Sequence, residues 1–269
     1  MNRNMLIRTV VALIFGPVII YLSYLGGLFL LGLILLLAAL GISELVIQSQ
    51  GKKSRFLLVL SVLFTVGLIL SSALLSFSIT LLIFITYLLL IGMILSIRNQ
   101  PPTELFNQML LLTWGVAYVG LLYPFIYHIR EMTATGDWLL FLFGTIWLSD
   151  SLAMWIGKAF GKRKLAPTVS PNKTIAGFIG GLSGGLMVAV LLHFWLLPEF
   201  HLVKLIFAGL LISFVGQLGD LVESLWKRSI GIKDSSAIIP GHGGILDRFD
   251  SLLFAAPVLY LYLKYFLFK

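Results

Sequence analysis

The chain contains no cysteine, only four histidines and few charged residues. Without cysteine it can form no disulfide, thiolate nucleophile or cysteine metal site. Charged residues make up 11% of the 269 residues and hydrophobic residues 59%, whereas soluble domains carry about 25% charged residues. This composition excludes a soluble globular enzyme. It also excludes a disordered tail and a coiled coil, because both need many more charges.

Long uncharged runs locate the membrane spans. Residues 9–43 and 56–97 carry no charge. As one helix, the first run would extend about 52 Å, well beyond the ~30 Å of a hydrocarbon core. Each run therefore predicts two helices, separated at Gly26 and Gly27 in the first and at 71–76 in the second. Five further apolar segments bring the total to nine spans: 105–127, 138–158, 177–197, 202–222 and 251–268.

The expected fold is therefore an all-α, polytopic integral membrane protein with about nine transmembrane helices. Residues 1–137 hold about five spans, and residues 138–269 hold about four, with loops at 159–176 and 223–250. In this arrangement 15 of the 19 Lys and Arg residues lie on the side of the N-terminus, which predicts that this side is cytoplasmic. Both loops share that side. The net charge of +8 indicates contact with anionic headgroups or an anionic substrate, not with nucleic acid.

Acidic residues inside spans are the next signal. A carboxylate at the centre of a membrane helix costs about 2.5–3.5 kcal/mol on insertion scales, so it faces a polar cavity, a partner or an ion. Asp150 lies in the sixth span and Asp220 near the end of the eighth. Steps of three and four residues place a polar stripe on the eighth helix: Ser213, Gln217, Asp220, Ser224 and Lys227. A hydrogen-bonded packing seam is the alternative to a functional site. Glu44 is expected at the membrane interface.

The loop after the eighth span has the composition of a polyphosphate and metal site. Glycines around His242 let the backbone approach an anion, and basic side chains supply countercharge: Gly241, Gly243, Gly244, Lys227, Arg228, Lys233 and Arg248. Asp220 and Asp247 can converge where this loop reverses the chain, and two carboxylates with phosphate oxygens suit Mg²⁺. Few histidines and no cysteine argue against zinc. The alternatives are headgroup contacts, a helix cap at Asp247 or Asp250, and a turn role for His242.

A second basic loop, 157–174, lies on the same predicted side. Its Lys162, Arg163 and Lys164 are typical of a positive-inside anchor. Ser170, Lys173 and the start of the next helix offer a hydroxyl, a charge and backbone amides to a phosphate. That helix carries a face of small residues, which we expect to pack tightly on another span: Gly177, Gly180, Gly181, Gly184 and Gly185.

The stretch from Ser224 to Asp250 closely resembles the signature of the phosphatidate cytidylyltransferase (CDP-diacylglycerol synthase) family. The shared pattern is a serine, Lys-Arg, Lys-Asp, Pro-Gly-His-Gly-Gly, Asp-Arg and Asp. With the segments around Asp150 and 170–174, the resemblance covers about residues 147–251. Where relatives commonly carry Lys, Trp and Glu, this chain has Asn172, Ile175 and Ala176, so no acid role is transferred there. The resemblance implies a multi-pass enzyme that makes CDP-diacylglycerol and pyrophosphate from CTP and phosphatidate with Mg²⁺, and it further suggests a homodimer.

The residues suit this chemistry. A phosphate monoester has a second pKa of about 6, so the lipid phosphate is largely a dianion and can attack the α-phosphorus of CTP without a general base. The reaction then needs charge neutralisation and in-line placement. We therefore assign Asp247, Asp220, Arg248 and Lys227 as catalytic. Asp220 and Asp247 are the expected Mg²⁺ ligands, with Asp150 as an outer or second-metal candidate. The expected substrate-binding residues are Ser170, Lys173, Ser224, Arg228, Lys233, Gly241, His242, Gly243 and Gly244.

Two other functions stay open from the sequence. One is a CTP-dependent lipid kinase, or a cytidylyltransferase that acts on another lipid phosphate. The other is an ion-coupled transporter, in which Asp150 and Asp220 would be midplane ion sites. A transporter predicts symmetry between the halves, but the polar motifs are concentrated after Trp147. The expected partners are CTP, phosphatidate and membrane lipids. The expected location is the bacterial inner membrane, with the active site facing the cytoplasm.

Overall fold

The computed structural model describes residues 3–50, 55–239 and 243–268, and side chains from residue 13 onward. Within these ranges the fold is all-α apart from one small hairpin, as expected. The helices are α1 Arg3–Leu25, α2 Gly27–Gln50, α3 Arg55–Leu74, α4 Phe77–Ser96, α5 Pro102–Leu122, α6 Pro124–Glu131, α7 Asp137–Phe160, α8 Ile175–Trp195, α9 Leu202–Ser229 and α10 Leu246–Tyr262, which a short π-helix, Leu263–Leu267, continues. The strands β1 Lys164–Ala166 and β2 Ser170–Thr174 pair antiparallel between α7 and α8.

The spans agree with the expected pattern. Eight segments of the described residues are long and apolar enough to cross a membrane, and α5 and α6 together form one of them, Pro102–Glu131. The remaining one of the nine expected spans corresponds to α1. The part of α1 whose side chains are described is a shorter apolar stretch, Leu13–Leu25. The two predicted separations are confirmed, because α2 begins at Gly27 and α4 begins at Phe77. The protein is therefore a multi-pass membrane protein.

The turn between α1 and α2 requires glycine. Gly26 and Gly27 have φ angles of 65° and 50°, in the left-handed region that glycine enters without steric cost. Arg130 of α6 donates hydrogen bonds to the carbonyl oxygens of Ser23 and Tyr24, both at 2.9 Å, and so satisfies the end of α1. A Cβ on Gly26 would lie 2.9 Å from Nε of Arg130, which leaves no room for a side chain.

Two sets of helices meet along α10. In the first set, α2 packs on α3 and α5, and α3 also packs on α4. In the second set, α7 packs on α8, α8 on α9, and α9 on α10. Because α10 also contacts α5 and α6, it connects the two sets. The second set carries the polar motifs, and the loops at one end of it form the candidate site.

The expected tight packing of the α8 glycines is confirmed. A Cβ on Gly180 would lie 2.8 Å from Cβ of Ile156, and one on Gly184 would lie 2.8 Å from the backbone nitrogen of Ser149. Gly181 faces α9, where a Cβ would lie 2.6 Å from Nε2 of Gln217. The glycines thus allow α8 to approach both α7 and α9 closely, which fixes the helices that carry Asp150 and Asp220.

We expect Gly185→Ala to lower the melting temperature of the detergent-purified protein. Its methyl group would overlap the carbonyl oxygen of Gly209 and the hydroxyl of Ser213, and overpacking of this kind costs about 1–3 kcal/mol. The matched control is Gly32→Ala in α2, because a Cβ there would meet nothing within 4 Å. The control should be neutral or slightly stabilising, since alanine is the better helix former. Equal melting temperatures for the two variants would contradict the tight α8–α9 contact.

Candidate active site

A cavity of about 790 Å³ opens where the β1–β2 hairpin, α7, α9 and the start of α10 meet. Five carboxylates and five basic side chains line it: Asp150, Asp220, Asp234, Asp247, Asp250, Lys158, Lys164, Lys173, Lys227 and Arg248. Residues of both predicted loops therefore border one space. This confirms that the two loops share one side of the molecule, and it brings together six of the predicted site residues.

The polar stripe of α9 combines packing with cavity lining. Nε2 of Gln217 donates to the carbonyl oxygens of Phe178 in α8 and Ser213, at 3.2 and 3.3 Å. This part of the stripe is a packing seam. One and three helical turns further on, Asp220 and Lys227 line the cavity. Both interpretations of the stripe thus hold, and Gln217 belongs to both parts, because it lines the cavity as well.

Lys173 and Asp220 form an ion pair across the cavity. Nζ of Lys173, in β2, lies 2.6 Å from Oδ2 of Asp220, in α9. The two side chains are 25% and 32% exposed. Asp220 is therefore accessible from the cavity, whereas Nζ of Lys173 is itself buried against it. Ser224 donates to Oδ1 of Asp220 at 3.4 Å, one turn along the same helix. Ser224 therefore acts on the carboxylate and is not itself among the lining residues.

The carboxylate of Asp247 has hydrogen-bond partners at both oxygens. Oδ1 lies 2.6 Å from Nζ of Lys227. Oδ2 accepts from the backbone nitrogens of Ser235 and Gly244, at 2.9 and 2.8 Å, and the Ser235 hydroxyl lies 3.0 Å away. Lys227 also lies 3.5 Å from Oε1 of Glu223. Asp247 thus fixes the ammonium group of Lys227 at the cavity wall and holds the backbone at Ser235 and at Gly244, just before α10.

Several predicted substrate-binding residues lie off the described cavity wall. They are Ser170, Ser224, Arg228, Lys233, Gly243 and Gly244. The guanidinium group of Arg228 donates to the carbonyl oxygens of Val169 and Ile232, at 3.3 and 2.6 Å, and so ties the hairpin turn to the end of α9. Gly241 and His242 lie outside the described residues. A phosphate contact at any of these positions stays a prediction.

The structure adds residues that the sequence did not single out for the site. Lys158 and Lys164 line the cavity, although Lys164 had been interpreted as a membrane anchor. Asp250 follows Asp247 by one helical turn, a spacing that could have indicated it. Glu44, expected at the membrane interface, has its side chain buried within the protein at 3% exposure. Its carboxylate is held there by donors from the segment 235–246.

The donor set fits Mg²⁺. No group of three or more His, Asp or Glu side chains among the described residues is arranged to hold a metal. Mg²⁺ does not need such a cage, because it usually binds one or two carboxylates and completes its shell with phosphate oxygens and water. Asp150 and Asp220 offer carboxylate oxygens at the cavity wall. Asp247 accepts one hydrogen bond at Oδ1, from Lys227, which leaves a second lone pair there.

Comparison with known proteins identifies the family. A model described as the cytidylyltransferase family matches residues 6–266, nearly the whole chain. The chain belongs to this family. The segments that suggested the resemblance, around Asp150, 170–174 and Ser224–Asp250, each contribute residues to the cavity wall. The cytidylyltransferase family signature thus coincides with the charged site.

Individual relatives within the cytidylyltransferase family carry one name. A phosphatidate cytidylyltransferase of Staphylococcus saprophyticus is 36% identical over 264 residues, which cover 95% of this chain and 97% of that protein. One from Bacillus subtilis (strain 168) is 41% identical over 180 residues, 66% of each chain. One from Staphylococcus aureus (strain COL) is 48% identical over 145 residues, and this alignment spans 55% of that relative's length.

Proposed function

We propose that the protein transfers a cytidylyl group from CTP to phosphatidate, giving CDP-diacylglycerol and pyrophosphate. The observation that carries this proposal is the cavity, in which Lys173, Lys227 and Arg248 stand among five carboxylates at one end of the membrane helices. Membership in the cytidylyltransferase family and relatives named phosphatidate cytidylyltransferase support it. A lipid phosphate and a nucleotide triphosphate are both anions, and this site offers cations to both.

The reaction needs neutralisation of the negative charge on its substrates and leaving group more than it needs a general base. An oxygen of the lipid phosphate dianion attacks the α-phosphorus of CTP, and the bond from that phosphorus to the oxygen bridging to the β-phosphate breaks. Negative charge then grows on the departing pyrophosphate. We assign Lys227 and Arg248 to the triphosphate and the leaving pyrophosphate, and Lys173 to a phosphate on the opposite wall. Asp220 and Asp247 hold the two lysines in these positions.

Mg²⁺ is the proposed cofactor. When bound, it would neutralise part of the triphosphate charge and align the α-phosphorus for attack. Asp220 is the first candidate ligand, with Oδ1 of Asp247 and the outer carboxylate of Asp150 as further ones. Asp250, on the same wall, adds negative charge to this part of the cavity.

We place the site on the cytoplasmic face of the bacterial inner membrane. CTP is soluble in the cytoplasm, and 15 of the 19 Lys and Arg residues fall on the side of the two loops in the nine-span arrangement. The acyl chains of phosphatidate then stay in the bilayer while its phosphate reaches the cavity. A homodimer is proposed from the family resemblance alone.

Product analysis with two labels tests the proposed reaction. Purified protein in phosphatidate-containing vesicles, given CTP labelled at the α-phosphate, should transfer the label to lipid and release one pyrophosphate per lipid formed. CTP labelled at the γ-phosphate should leave the lipid unlabelled. The matched control omits phosphatidate.

Each alternative predicts a different result. A lipid kinase would move the γ-label onto diacylglycerol and release CDP. A cytidylyltransferase for another lipid phosphate would leave phosphatidate vesicles unlabelled but label vesicles that contain its own substrate. If neither label enters any lipid, the protein is not a transferase of this kind.

A further inference from the structure

Glu44 connects the N-terminal helices to the catalytic loop. It lies in α2, and both oxygens of its buried carboxylate accept hydrogen bonds from the segment 235–246. Oε1 lies 2.6 Å from the hydroxyl of Ser236 and 2.8 Å from the backbone nitrogen of Ile245. Oε2 lies 3.0 Å from the hydroxyl of Ser235 and 3.0 Å from the backbone nitrogen of Leu246. A buried carboxylate with four donors is a specific contact, because each partner left unpaired would be costly.

The same contact explains Gly244. A Cβ at this position would lie 2.6 and 2.7 Å from the two carboxylate oxygens of Glu44 and would overlap the hydroxyl of Ser235. Gly243 has a φ of 82° and faces Asp247, whose Oδ2 would lie 2.7 Å from its Cβ. The two described glycines of the motif therefore make room for carboxylates of the protein itself, where the sequence had suggested a substrate phosphate.

The backbone amides at the start of α10 are used in the same way. The nitrogens of Ile245 and Leu246 donate to Glu44, and that of Gly244 donates to Asp247. A helix start of this kind commonly binds a phosphate, but here two internal carboxylates fill it. The amides of Gly244, Ile245 and Leu246 are therefore not free for a substrate phosphate, whereas the basic side chains of the cavity are the described groups that can bind one.

Ser235 connects Glu44 to the ion pair of Asp247 and Lys227. Its hydroxyl lies 3.0 Å from both Glu44 and Asp247, and its backbone nitrogen donates to Asp247 at 2.9 Å. One hydroxyl carries one proton, so it serves the two carboxylates in turn. Asp247 in turn holds Lys227 at 2.6 Å. A chain of contacts thus runs from Glu44 through Ser235 and Asp247 to a lysine of the cavity wall.

We propose that Glu44 is a positioning residue that acts through Ser235 and Asp247 to set the place of Lys227 at the cavity. The proposal rests on the proposed function, because Lys227 is assigned there to the triphosphate. It gives the N-terminal helices a part in the reaction: α2 supplies the buried charge that orders the loop after α9.

The test is Glu44→Gln, with Glu104→Gln as the matched control, since Glu104 is an exposed acid at the start of α5. The carboxamide brings an NH₂ group against donors that need an acceptor. We expect kcat to fall about 10- to 100-fold, the scale of small misplacements in an active site, with KM for CTP within about threefold of wild type. Rates are expressed per CTP-binding site, so a lower yield of folded protein does not count as lost activity.

A double-mutant cycle identifies the route. Glu44→Gln and Ser235→Ala should together cost little more in kcat than either alone, because both act on Asp247. If their losses multiply, or if Glu44→Gln keeps kcat within threefold of wild type, the proposal is overturned. If Glu44→Gln does not fold, Ser236→Ala takes its place, because its hydroxyl donates to Glu44 and is not among the described hydrogen-bond partners of Asp247. It should lower kcat about fivefold, and an unchanged kcat would overturn the proposal.

Hydrogen exchange separates this inference from the proposed reaction. In Glu44→Gln, the amides of Gly244, Ile245 and Leu246 should exchange faster than in wild type, whatever reaction the protein performs. Unchanged exchange would overturn the positioning role by itself. If wild type and Glu104→Gln form no CDP-lipid while exchange responds as expected, the proposed function fails but the contact stands.

Discussion

Replacing Asp220 with Asn should lower kcat by at least about a hundredfold while the protein still inserts and purifies, because a charge that organises the transition state is lost. Asp220 lines the cavity and its Oδ2 lies 2.6 Å from Nζ of Lys173. Asparagine keeps the size of the side chain but removes the anionic oxygen that would bind Mg²⁺. Raised Mg²⁺ should therefore restore little activity. Initial rates over a Mg²⁺ series measure the effect.

A control and a second variant separate the two roles of this carboxylate. Glu199→Gln is the control, because Glu199 is an exposed acid in the connection between α8 and α9. If Asp220 serves only to hold Lys173, then Lys173→Gln should cost as much and the double variant no more. If Asp220 binds the metal, Mn²⁺ binding in the presence of CTP, followed by electron paramagnetic resonance, should weaken in Asp220→Asn and persist in Lys173→Gln. Normal rates in Asp220→Asn would refute both roles.

The helices could be predicted because the bilayer constrains them strongly. A run without charge must be helical, and its length sets the number of spans, so the separations at Gly26 and at 71–76 follow from arithmetic. Helix ends were harder to predict. The structure carries α9 on to Ser229, whereas hydropathy had ended the span at 222. The charges of these last turns have partners in the fold, and Lys227 among them lines the cavity. The β1–β2 hairpin was not predicted, since only five residues form its longer strand.

The site was predictable in its residue types but less so in its geometry. A charged side chain in or beside a membrane helix is costly and therefore indicates a functional site, which is why the sequence pointed to Asp220, Lys227, Asp247 and Arg248. Which side chains and amides pair with one another depends on the tertiary fold. The sequence alone does not reveal that Asp247 is held by Lys227 and Ser235, nor that the glycines face carboxylates. The contacts of Glu44 could not be predicted for the same reason, since its partners lie about 190 residues further along the chain.

Replacing Arg248 with Ala should lower activity by at least about a hundredfold at saturating phosphatidate, in any lipid mixture. The guanidinium group lines the cavity and, among the described residues, forms no hydrogen bond or ion pair, in contrast to Arg228. A cation with this freedom can follow the charge that develops on the leaving pyrophosphate. The loss should therefore appear in kcat more than in the binding of substrates. Steady-state rates in vesicles with different anionic lipid contents measure it.

Lys162 supplies the matched control, because it is a basic residue of the loop 157–174 on the same predicted side, is exposed and lies off the described cavity wall. A headgroup contact contributes about 1 kcal/mol per basic residue, weakens with salt and is compensated by more anionic lipid. Lys162→Ala should show that modest, lipid-dependent behaviour, whereas the loss in Arg248→Ala should be insensitive to lipid and salt. If added anionic lipid returns Arg248→Ala to the wild-type rate, Arg248 serves the membrane surface. Lys227 and Lys173 would then neutralise the triphosphate without Arg248. The position of Lys227, which we propose that Glu44 sets, would matter more for the reaction.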